Sequence, residues 1–582
     1  MRAVAFEGRQ EELRADRQVT ATYLGVGADS MITGRKAFLQ LLVDEGVTHL
    51  FGNPGTTELP IMEALSDFPE LKYVLGLQES VVMGMADGYC RASSKLAAAN
   101  VHVTPGLGNA MGALYNARFS GSAVILTAGQ QEQGHGLLEP LLYEPLVPIA
   151  QPLVKWAVEV TRAQDLPRIV HRAAKIALTP PTGPVFLSLP GDVLEQTVDM
   201  DLGRPVRVDS ASRPSDETLD DLVARLLKAR RPVILAGHEL AIHDAFSDAA
   251  ELAELLGAAV YQSPIPYSAQ FPSEHPAHLG ILTRSQKAVR GALEPYDLLL
   301  CLGADLLRMS VYSPLEPLPP GLPVIHVSER SGELGKNYRT DVAIQANVKQ
   351  TLKALLPLLR ARRSAEWAAL AARRLADLEK MNWSAQREKA RTEALLRGEQ
   401  VPIDPQYLML RITELLPKDA VVVEEALVSS ASLPAFLPLR DPRCFFGLAS
   451  GGLGFALPGA VGVSLALPSR PVVAIVGDGS AMYGVQALWT AAHLKLPITY
   501  IITNNCSYRI IKERLVAMRS TDRFIGMDLR APEVDFVQLG EAFGLAVRRI
   551  TDPRELVSAL RDAFGAGRPC LLDVRVSDGF GA

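Results

Sequence analysis

The sequence predicts an α/β protein built from three doubly wound parallel-sheet domains. The chain has 582 residues, too many for one hydrophobic core at roughly 100–200 residues per domain. Short apolar strands also alternate with helical segments in three successive stretches, which is the pattern of βαβ units on a parallel sheet. Hydrophobic residues make up 48% and charged residues 21% of the chain, as in ordinary globular domains.

The first domain is predicted to span residues 31–200. Residues 1–30 precede it as an extension that we expect to be disordered or loosely ordered, because it is mixed in composition and charged. An amphipathic helix, GRKAFLQLLVDEGV, opens the domain and leads to a turn at Asn53-Pro54-Gly55. The strands YVLGL, ANVHVT and AVILTAG follow, with a helix from Gln78 to about Ala92 after the first of them.

The same rhythm predicts a central domain over residues 215–360 and a last domain over residues 401–577. The central strands are RPVILAG, AAVYQS, DLLLCLGA, PVIHVS and DVAIQAN. The last domain has the strands AVVVEE, PVVAIVG, ITYIIT and CLLDVRV. Residues 361–400 between them are charged and helix-prone without a sustained heptad, which is typical of a solvated connecting segment.

Composition excludes several classes of partner. The net charge of −5 and pI near 6.1 lack the basic footprint of a nucleic-acid-binding protein. No stretch approaches the ~20 apolar residues that span a bilayer, so we expect no membrane partner. The five cysteines are scattered without a CxxC spacing, which argues against disulfides or structural zinc and favours a cytoplasmic location.

The strongest chemical signal is Gly477-Asp478-Gly479-Ser480 followed, 27 positions after Asp478, by Asn505 of the pair Asn504-Asn505. Each segment comes directly after an apolar strand, and ligands sit at the carboxyl ends of parallel strands. Asp478 offers a carboxylate and Asn505 an amide oxygen, which are ligands that Mg²⁺ prefers beside phosphate oxygens and water. The glycines let backbone N–H groups approach a phosphate.

This arrangement resembles the thiamine-diphosphate signature of the family that includes pyruvate decarboxylase, acetolactate synthase and benzoylformate decarboxylase. HLFGNPGTTELPIMEAL, NVHVTPGLGNAMGALYNA, GADLLR and SGGLGFALPGAVGV also resemble benzoylformate decarboxylase, and the similarity extends from about residue 31 to 576. The resemblance implies thiamine diphosphate and Mg²⁺ as cofactors. It also implies a pyrimidine-binding domain first, a central domain next and a diphosphate-binding domain last.

The resemblance further implies an active site between the first domain of one subunit and the last domain of another. A homodimer is then the minimum unit, and a homotetramer is the expected assembly. The substrate is expected to be a small 2-oxo acid.

Three residues carry over from the family as catalytic groups. A glutamate in the first turn of a helix usually just interacts with the helix dipole, but Glu79 follows an N-terminal strand as the family's catalytic glutamate does. There it would share a proton with the cofactor's aminopyrimidine, so that the thiazolium C2 proton can be removed. Thr56 stands where the family has a serine that meets the substrate carboxylate. His102 matches a proton-transferring histidine, and imidazole titrates near neutral pH.

Other positions carry over as cofactor or metal contacts. Leu453 stands where the family places an apolar residue under the cofactor to force its bent shape. Mg²⁺ is expected to bind Asp478, Asn505 and the backbone carbonyl of Ser507. The remaining expected cofactor contacts are Gly479, Ser480, Ser507, Tyr508, Asn53, Pro54 and Gly55.

Three departures leave the substrate open. Ser310 stands where benzoylformate decarboxylase has a second active-site histidine, and serine is a poor acid or base near neutral pH. Ala426, Leu427 and Val428 replace hydroxyl residues and make the pocket more apolar. Ile510 would narrow the cavity. Arg509 and Lys512 either bind an acidic substrate or face solvent.

The leading hypothesis is therefore non-oxidative decarboxylation of a 2-oxo acid to an aldehyde and CO₂. The segment NNCSYRII favours an alternative, carboligation of the acetolactate-synthase type or another C–C lyase reaction. A catalytically silent, cofactor-binding paralogue is a third hypothesis, which the joint presence of Glu79, Asp478 and Asn505 argues against.

Overall fold

The computed structural model describes residues 31–580, and the extension predicted for residues 1–30 lies outside the described residues. Three six-stranded parallel sheets follow one another along the chain, each flanked by helices. The predicted fold class is confirmed. The strands of the sheets fall within residues 49–190, 232–345 and 421–575, while the domain boundaries drawn from the sequence stay predictions.

The first sheet has the strand order β3-β2-β4-β5-β7-β6. All seven residues of β5 are buried, as expected for a strand covered by helices on both faces. A separate antiparallel pair joins β1 to β8. The strands are β1 (Met31–Thr33), β2 (His49–Gly52), β3 (Lys72–Leu75), β4 (Ala97–His102), β5 (Val124–Gln130), β6 (Ala157–Glu159), β7 (Val185–Pro190) and β8 (Thr197–Asp199). The helices are α1 (Gly34–Asp44), α2 (Leu59–Ala64), α3 (Glu79–Ser93), α4 (Val103–Ser120), α5 (Gln133–Gly136), α6 (Leu146–Ala150), α7 (Leu166–Leu178) and α8 (Gly191–Glu195).

The central sheet has the order β11-β10-β9-β12-β13-β14, so the chain starts in the middle and winds outward in both directions. Its strands are β9 (Pro232–Ala236), β10 (Ala259–Gln262), β11 (His278–Ile281), β12 (Leu298–Leu302), β13 (Val324–Ser328) and β14 (Val342–Gln345). Its helices are α9 (Asp216–Lys228), α10 (Glu239–Ile242), α11 (Phe246–Leu256), α12 (Gln286–Leu293) and α13 (Val348–Arg362), followed by the connecting helices α14 (Ala365–Glu379) and α15 (Trp383–Leu395).

Ligands of doubly wound folds usually bind in a crevice at the carboxyl ends of the central strands. In the central sheet, the turns that follow β9 and β12 contact each other at this position. A Cβ atom on Gly237 would overlap the backbone of Gly303, so the two turns touch. The buried carboxylate of Glu239 accepts hydrogen bonds from Ser328 Oγ at 2.6 Å and from the Glu329 N–H at 3.1 Å.

The last sheet has the order β16-β15-β17-β18-β20-β19. Gly477 at the end of β17 pairs with Thr503 in β18, so the segments that follow both strands leave the same edge. The strands are β15 (Val421–Glu425), β16 (Phe445–Gly447), β17 (Val472–Gly477), β18 (Ile498–Asn504), β19 (Ala546–Ile550) and β20 (Cys570–Arg575). The helices are α16 (Pro405–Leu415), α17 (Leu433–Phe436), α18 (Ala456–Ala466), α19 (Asp478–Ala481), α20 (Ala487–His493), α21 (Arg509–Arg519), α22 (Phe536–Ala542) and α23 (Pro553–Phe564).

The first and last domains share one continuous hydrophobic core. Helices α3 and α18 meet at its centre, and a Cβ atom on Gly88 or Gly462 would overlap the backbone of the facing helix. Glycine at these positions therefore allows the two helices to pack backbone against backbone. The helix that begins at Glu79 is fixed against the helix that follows the Leu453 segment.

Arg91 joins all three domains. It lies on α3, donates to the Gly447 carbonyl of the last domain at 3.0 Å and to the Tyr267 carbonyl of the central domain. Its guanidinium carbon lies 4.6 Å from the centre of the Phe455 ring, a cation–π distance.

Within residues 31–580, no helix is long and apolar enough to cross a membrane.

Candidate active site

Asp478 occupies the edge of the last sheet directly after β17. Its residue is 5% exposed, Oδ1 accepts a hydrogen bond from the Gly479 N–H at 2.9 Å, and Oδ2 is buried without a partner among the described residues. Burial raises the pKa of Asp478 to about 6, although the nearby N–H groups of Gly479, Cys506 and Ser507 oppose that rise. A buried, unpartnered carboxylate oxygen is costly unless a cation or donor satisfies it, so the residue fits a metal ligand.

The Asn505–Ser507 turn lies beside Asp478 at the end of β18. Asn505 Oδ1 accepts the Ser507 N–H at 2.9 Å, and Cys506 has a left-handed backbone with φ of 52°. The structure thus brings the three predicted metal ligands to one edge. No group of three His, Cys, Asp or Glu residues in the described part of the chain could hold a metal ion. A cation bound here would therefore take further oxygens from phosphate and water.

The predicted phosphate-binding turn is narrow. A Cβ atom on Gly479 would lie 2.6 Å from the Tyr508 ring, so a larger residue would require that ring to move. Ser480 is buried and Tyr508 is 37% exposed. The roles of Gly479, Ser480 and Tyr508 in binding the diphosphate stay predictions.

Glu79 begins α3 at the carboxyl edge of the first sheet but does not cap the helix. The Gln78 side chain does so, accepting the N–H groups of Ser80 and Val81. The Glu79 carboxylate instead accepts hydrogen bonds from Asn109 Nδ2 at 3.0 Å and from Asn53 Nδ2 at 3.4 Å. Glu79 is therefore not needed as the helix cap, and its carboxylate is oriented by two asparagine side chains.

His102 is held through one of its two ring nitrogens. It ends β4, and Nδ1 donates to Glu58 Oε2 at 2.8 Å, with Thr57 Oγ1 3.0 Å away. The Glu58 carboxylate is fully buried and also accepts the N–H groups of Gly55 and Gly129. Since Nδ1 faces this carboxylate, Nε2 is the nitrogen without a hydrogen bond in the described chain.

Glu58 is a residue that the sequence reasoning missed. The only signal was an acidic side chain in a turn of otherwise small and polar residues, which ordinarily predicts a solvated surface. Its fixed contact to His102 makes it a candidate positioning residue.

The two threonines at the end of the Asn53-Pro54-Gly55-Thr56 turn have different environments. Thr56 is exposed, and its hydroxyl has no hydrogen bond within the described residues, whereas Thr57 points inward to Glu58 and His102. A Cβ atom on Gly55 would overlap the His102 ring. Gly55 and Thr57 thus contact His102 directly, while the role of Thr56 as a substrate contact stays a prediction.

The Leu453 loop connects β16 to α18. Leu453 is half-buried, and the buried Glu425 carboxylate accepts the N–H groups of Gly454 at 2.6 Å and Ala456 at 2.7 Å. Leu427, after β15, is half-buried in a left-handed conformation with φ of 51°. Such strain in a non-glycine residue is typical of functional sites.

Arg509 and Lys512 both form contacts within the chain, which contradicts the alternative that Lys512 faces solvent. Lys512 is 3% exposed and its Nζ lies 2.6 Å from Asp528 Oδ1. Arg509 donates to Glu513 at 2.8 Å and to the Ser577 carbonyl at 3.2 Å.

Ser310 lies in the central domain on the long loop after β12. It is exposed and lines a cavity of about 320 Å³ together with other residues of that loop. No contact of the described chain brings it to Glu79 or His102.

The two parts of the candidate site come from different domains. The Glu79–His102 group sits on the first sheet and the Asp478–Asn505 group on the last, and no hydrogen bond joins the two groups within residues 31–580. The individual roles of these residues stay predictions.

Comparison with known proteins matches three family models along the chain. They are the N-terminal TPP binding domain of thiamine pyrophosphate enzymes over residues 32–139, the central domain over 219–355 and the C-terminal TPP binding domain over 429–574.

Full-length relatives agree with these matches. Benzoylformate decarboxylase of Pseudomonas aeruginosa is 35% identical, covering 94% of this chain and 99% of that protein. Acetolactate synthase isozyme 1 large subunit of Escherichia coli is 27% identical, covering 94% of each. The structure of the thiamine diphosphate-dependent 4-hydroxybenzoylformate decarboxylase of Rhodococcus jostii RHA1 superposes with a TM-score of 0.83 at 32% identity, covering 94% of this chain and 99% of that one. The chain therefore belongs to the thiamine pyrophosphate enzyme family, whose members here are decarboxylases and carboligases.

Proposed function

We propose that this chain catalyses the Mg²⁺-dependent, non-oxidative decarboxylation of a 2-oxo acid to an aldehyde and CO₂. The observation that carries the proposal is that the carboxyl edges of the first and last sheets each present a carboxylate suited to cofactor chemistry. One edge presents Glu79, oriented by two asparagines, and the other presents Asp478 with a buried, unpartnered oxygen. A silent paralogue has no need to keep both.

The chain's residues fit the cofactor and the metal. Asp478, Asn505 and the Ser507 carbonyl would hold Mg²⁺, and the Gly479 turn would hold the diphosphate. When bound, thiamine diphosphate supplies a carbon nucleophile and then an electron sink for the bond that breaks as CO₂ leaves.

The protein's own groups would manage protons and position the substrate. Glu79 shares a proton with a ring nitrogen of the aminopyrimidine. The Thr56 hydroxyl binds the substrate carboxylate, and His102 donates a proton from Nε2 because Glu58 occupies Nδ1. Such acid–base groups typically contribute ~10²–10⁴-fold to the rate.

An uncharged substrate side chain suits the pocket. Leu427, Val428 and Leu453 are all half-buried apolar residues, and the half-buried Ile510 would make the substrate cavity narrower. The contacts of Arg509 and Lys512 with the chain argue against a second carboxylate on the substrate. With Ser310 in place of a histidine, His102 is the remaining candidate proton donor.

Membership of the thiamine pyrophosphate enzyme family supports a dimer in which each site joins the first domain of one subunit to the last domain of the other. We therefore retain a homodimer as the minimum unit and a homotetramer as the expected assembly. All five cysteines are buried and free, which supports a cytoplasmic location.

Carboligation is the second candidate function. Acetolactate synthases match nearly the whole chain, and the segment NNCSYRII also favours them. In such a reaction a second carbonyl compound would enter before a proton is delivered from His102.

The test is product analysis with purified protein, thiamine diphosphate and Mg²⁺, using benzoylformate, pyruvate, 3-methyl-2-oxobutanoate and 2-oxoglutarate. We expect metal-dependent aldehyde release from at least one of the first three, and none after EDTA treatment until Mg²⁺ is restored. Preferential turnover of 2-oxoglutarate would contradict the uncharged side chain. Acetolactate from pyruvate would establish the carboligase alternative. Absence of every product, from protein shown to hold its cofactor, would overturn the proposed function.

A further inference from the structure

The Leu453 loop is held at both ends by buried side chains that come from different domains. At its C-terminal end, Glu425 of the last domain accepts the N–H groups of Gly454 and Ala456. At its N-terminal end, Asn116 of the first domain acts: its Oδ1 accepts the N–H groups of Ala449 at 3.2 Å and Ser450 at 3.0 Å.

Asn116 is itself fixed in orientation by Asp87. Both side chains are buried, at 2% and 0% exposure, and Asn116 Nδ2 donates to Asp87 Oδ2 at 2.8 Å. Ser120 Oγ, at 3.0 Å, and Ser122 Oγ donate to Asp87 Oδ1. Because a carboxylate only accepts hydrogen bonds, Asp87 forces the amide of Asn116 to present its oxygen to the loop.

A further hydrogen bond within the loop connects the Asn116 contact to the residue before Leu453. Ser450, whose N–H is bound by Asn116, accepts the Gly452 N–H on its Oγ at 3.1 Å. Leu453 follows directly, and Gly454 is then bound by Glu425 with a φ of 107° that disfavours other residues. Leu453 therefore lies between two backbone segments that are each held by hydrogen bonds: Ser450–Gly452 on one side and Gly454 on the other.

We propose that Asn116, oriented by Asp87, is a positioning residue: by holding the loop backbone, it fixes where the Leu453 side chain lies in the cofactor site of the last domain. The inference rests on the proposed function for the role of Leu453 beneath the cofactor. It assigns to the first domain a second task besides carrying Glu79. Through Asp87 and Asn116, the first domain shapes the cofactor pocket in its own chain's last domain.

A double-mutant cycle of Asn116→Ala and Leu453→Ala tests this. Each single variant is expected to lose roughly ten- to a hundredfold in kcat, the scale of a small misplacement in an active site. Each should also weaken thiamine diphosphate binding, measured by titration calorimetry with Mg²⁺ present. Since Asn116 acts through Leu453, the double variant should match Leu453→Ala within about twofold in both quantities.

Ser122→Ala is the matched control, because it removes a hydrogen bond to Asp87 without touching the loop. It should lower the unfolding midpoint while leaving kcat and cofactor affinity within about twofold of the original chain. Asp87→Asn replaces one acceptor oxygen by a donor NH₂ group, so Asn116 is no longer held in one orientation and the cofactor affinity should fall as in Asn116→Ala. If Asn116→Ala does not fold, Asn116→Ser takes its place in the cycle.

Two results would overturn the inference. One is independent effects, in which the double variant loses the product of the two single losses. The other is an Asn116 variant that changes stability alone, as Ser122→Ala does. Failure of the unmodified chain to bind thiamine diphosphate would instead overturn the proposed function, so the two failures are distinguishable.

Discussion

The carboxyl edges of the central and last sheets both carry a buried carboxylate, but the hydrogen bonding of the two carboxylates differs. Both follow parallel strands at a point where doubly wound folds bind ligands. In the central sheet, the Gly237 and Gly303 turns touch and Glu239 is satisfied by Ser328 and Glu329. In the last sheet, Asp478 keeps one buried oxygen without a partner in the described chain.

The difference teaches that a buried carboxylate at a strand end is not by itself a functional sign. Burial raises the pKa of Glu239 to about 7 and that of Asp478 to about 6, so the two groups resemble each other electrostatically. The two carboxylates differ in their hydrogen bonds within the chain. Glu239 accepts hydrogen bonds from Ser328 and Glu329, whereas Asp478 Oδ2 has no partner in the described chain and would be stabilised by binding a cation.

The largest expected effect comes from Glu79→Gln. Glutamine keeps the shape but cannot share a proton in the same way, so kcat should fall by about 10²–10⁴-fold, with thiamine diphosphate affinity nearly unchanged. Steady-state kinetics and cofactor titration measure the two quantities. Glu70→Gln, at an exposed position in the same domain, is the control. Full activity in Glu79→Gln would show that the first-sheet edge is not catalytic.

A smaller effect is expected from Glu58→Gln. Loss of the negative charge releases His102 Nδ1 from a charge-assisted hydrogen bond of ~1.5–3 kcal/mol, equivalent to roughly ten- to a hundredfold in kcat. The loss should fall on kcat more than on KM, because the contact orients the imidazole rather than binding the substrate. Thr57→Val, which keeps the Glu58–His102 contact, should lower kcat less. An unchanged kcat in Glu58→Gln would contradict the positioning role.

The smallest kinetic effect is expected from Glu239→Gln in the central domain, where kcat should stay within about twofold. Stability should change with pH instead. The pKa of Glu239 is raised from 4.5 to about 7 by burial, with Glu329 adding to the rise and Arg330 opposing it. Between these values the unfolded chain releases its proton first, so this group lowers the stability of the folded chain as pH rises from 4.5 to 7.

Glu239→Gln removes that loss, which amounts to about 3 kcal/mol at most. The variant and the original chain should unfold alike near pH 5, and the variant should be the more stable near pH 8, as thermal unfolding would show. Glu217→Gln, an exposed change in the same domain, should show no such divergence. Loss of cofactor binding in Glu239→Gln would break the distinction between the two edges.

The sequence predicted the fold class because the central strands of each sheet are short continuous apolar runs. The edge strands β16 and β19 were not identified beforehand, because β16 has only three residues and most residues of β19 (AVRRI) are partly exposed. Asp478 and Asn505 were predicted because they follow neighbouring strands at a distinctive spacing, whereas Glu79 was predicted from the resemblance to the family. Glu58 and Asn116 were not, because their importance lies in contacts to residues 44 and 333 positions away.

Arg91 has a consequence for how the molecule comes apart. Its two hydrogen bonds end on backbone carbonyls of the last and central domains. Detaching either domain would leave a buried guanidinium, surrounded by aromatic rings, without one of its hydrogen-bond partners, and such a loss is costly. We therefore expect the three domains to unfold together, so that a protease finds few partially open forms to cut.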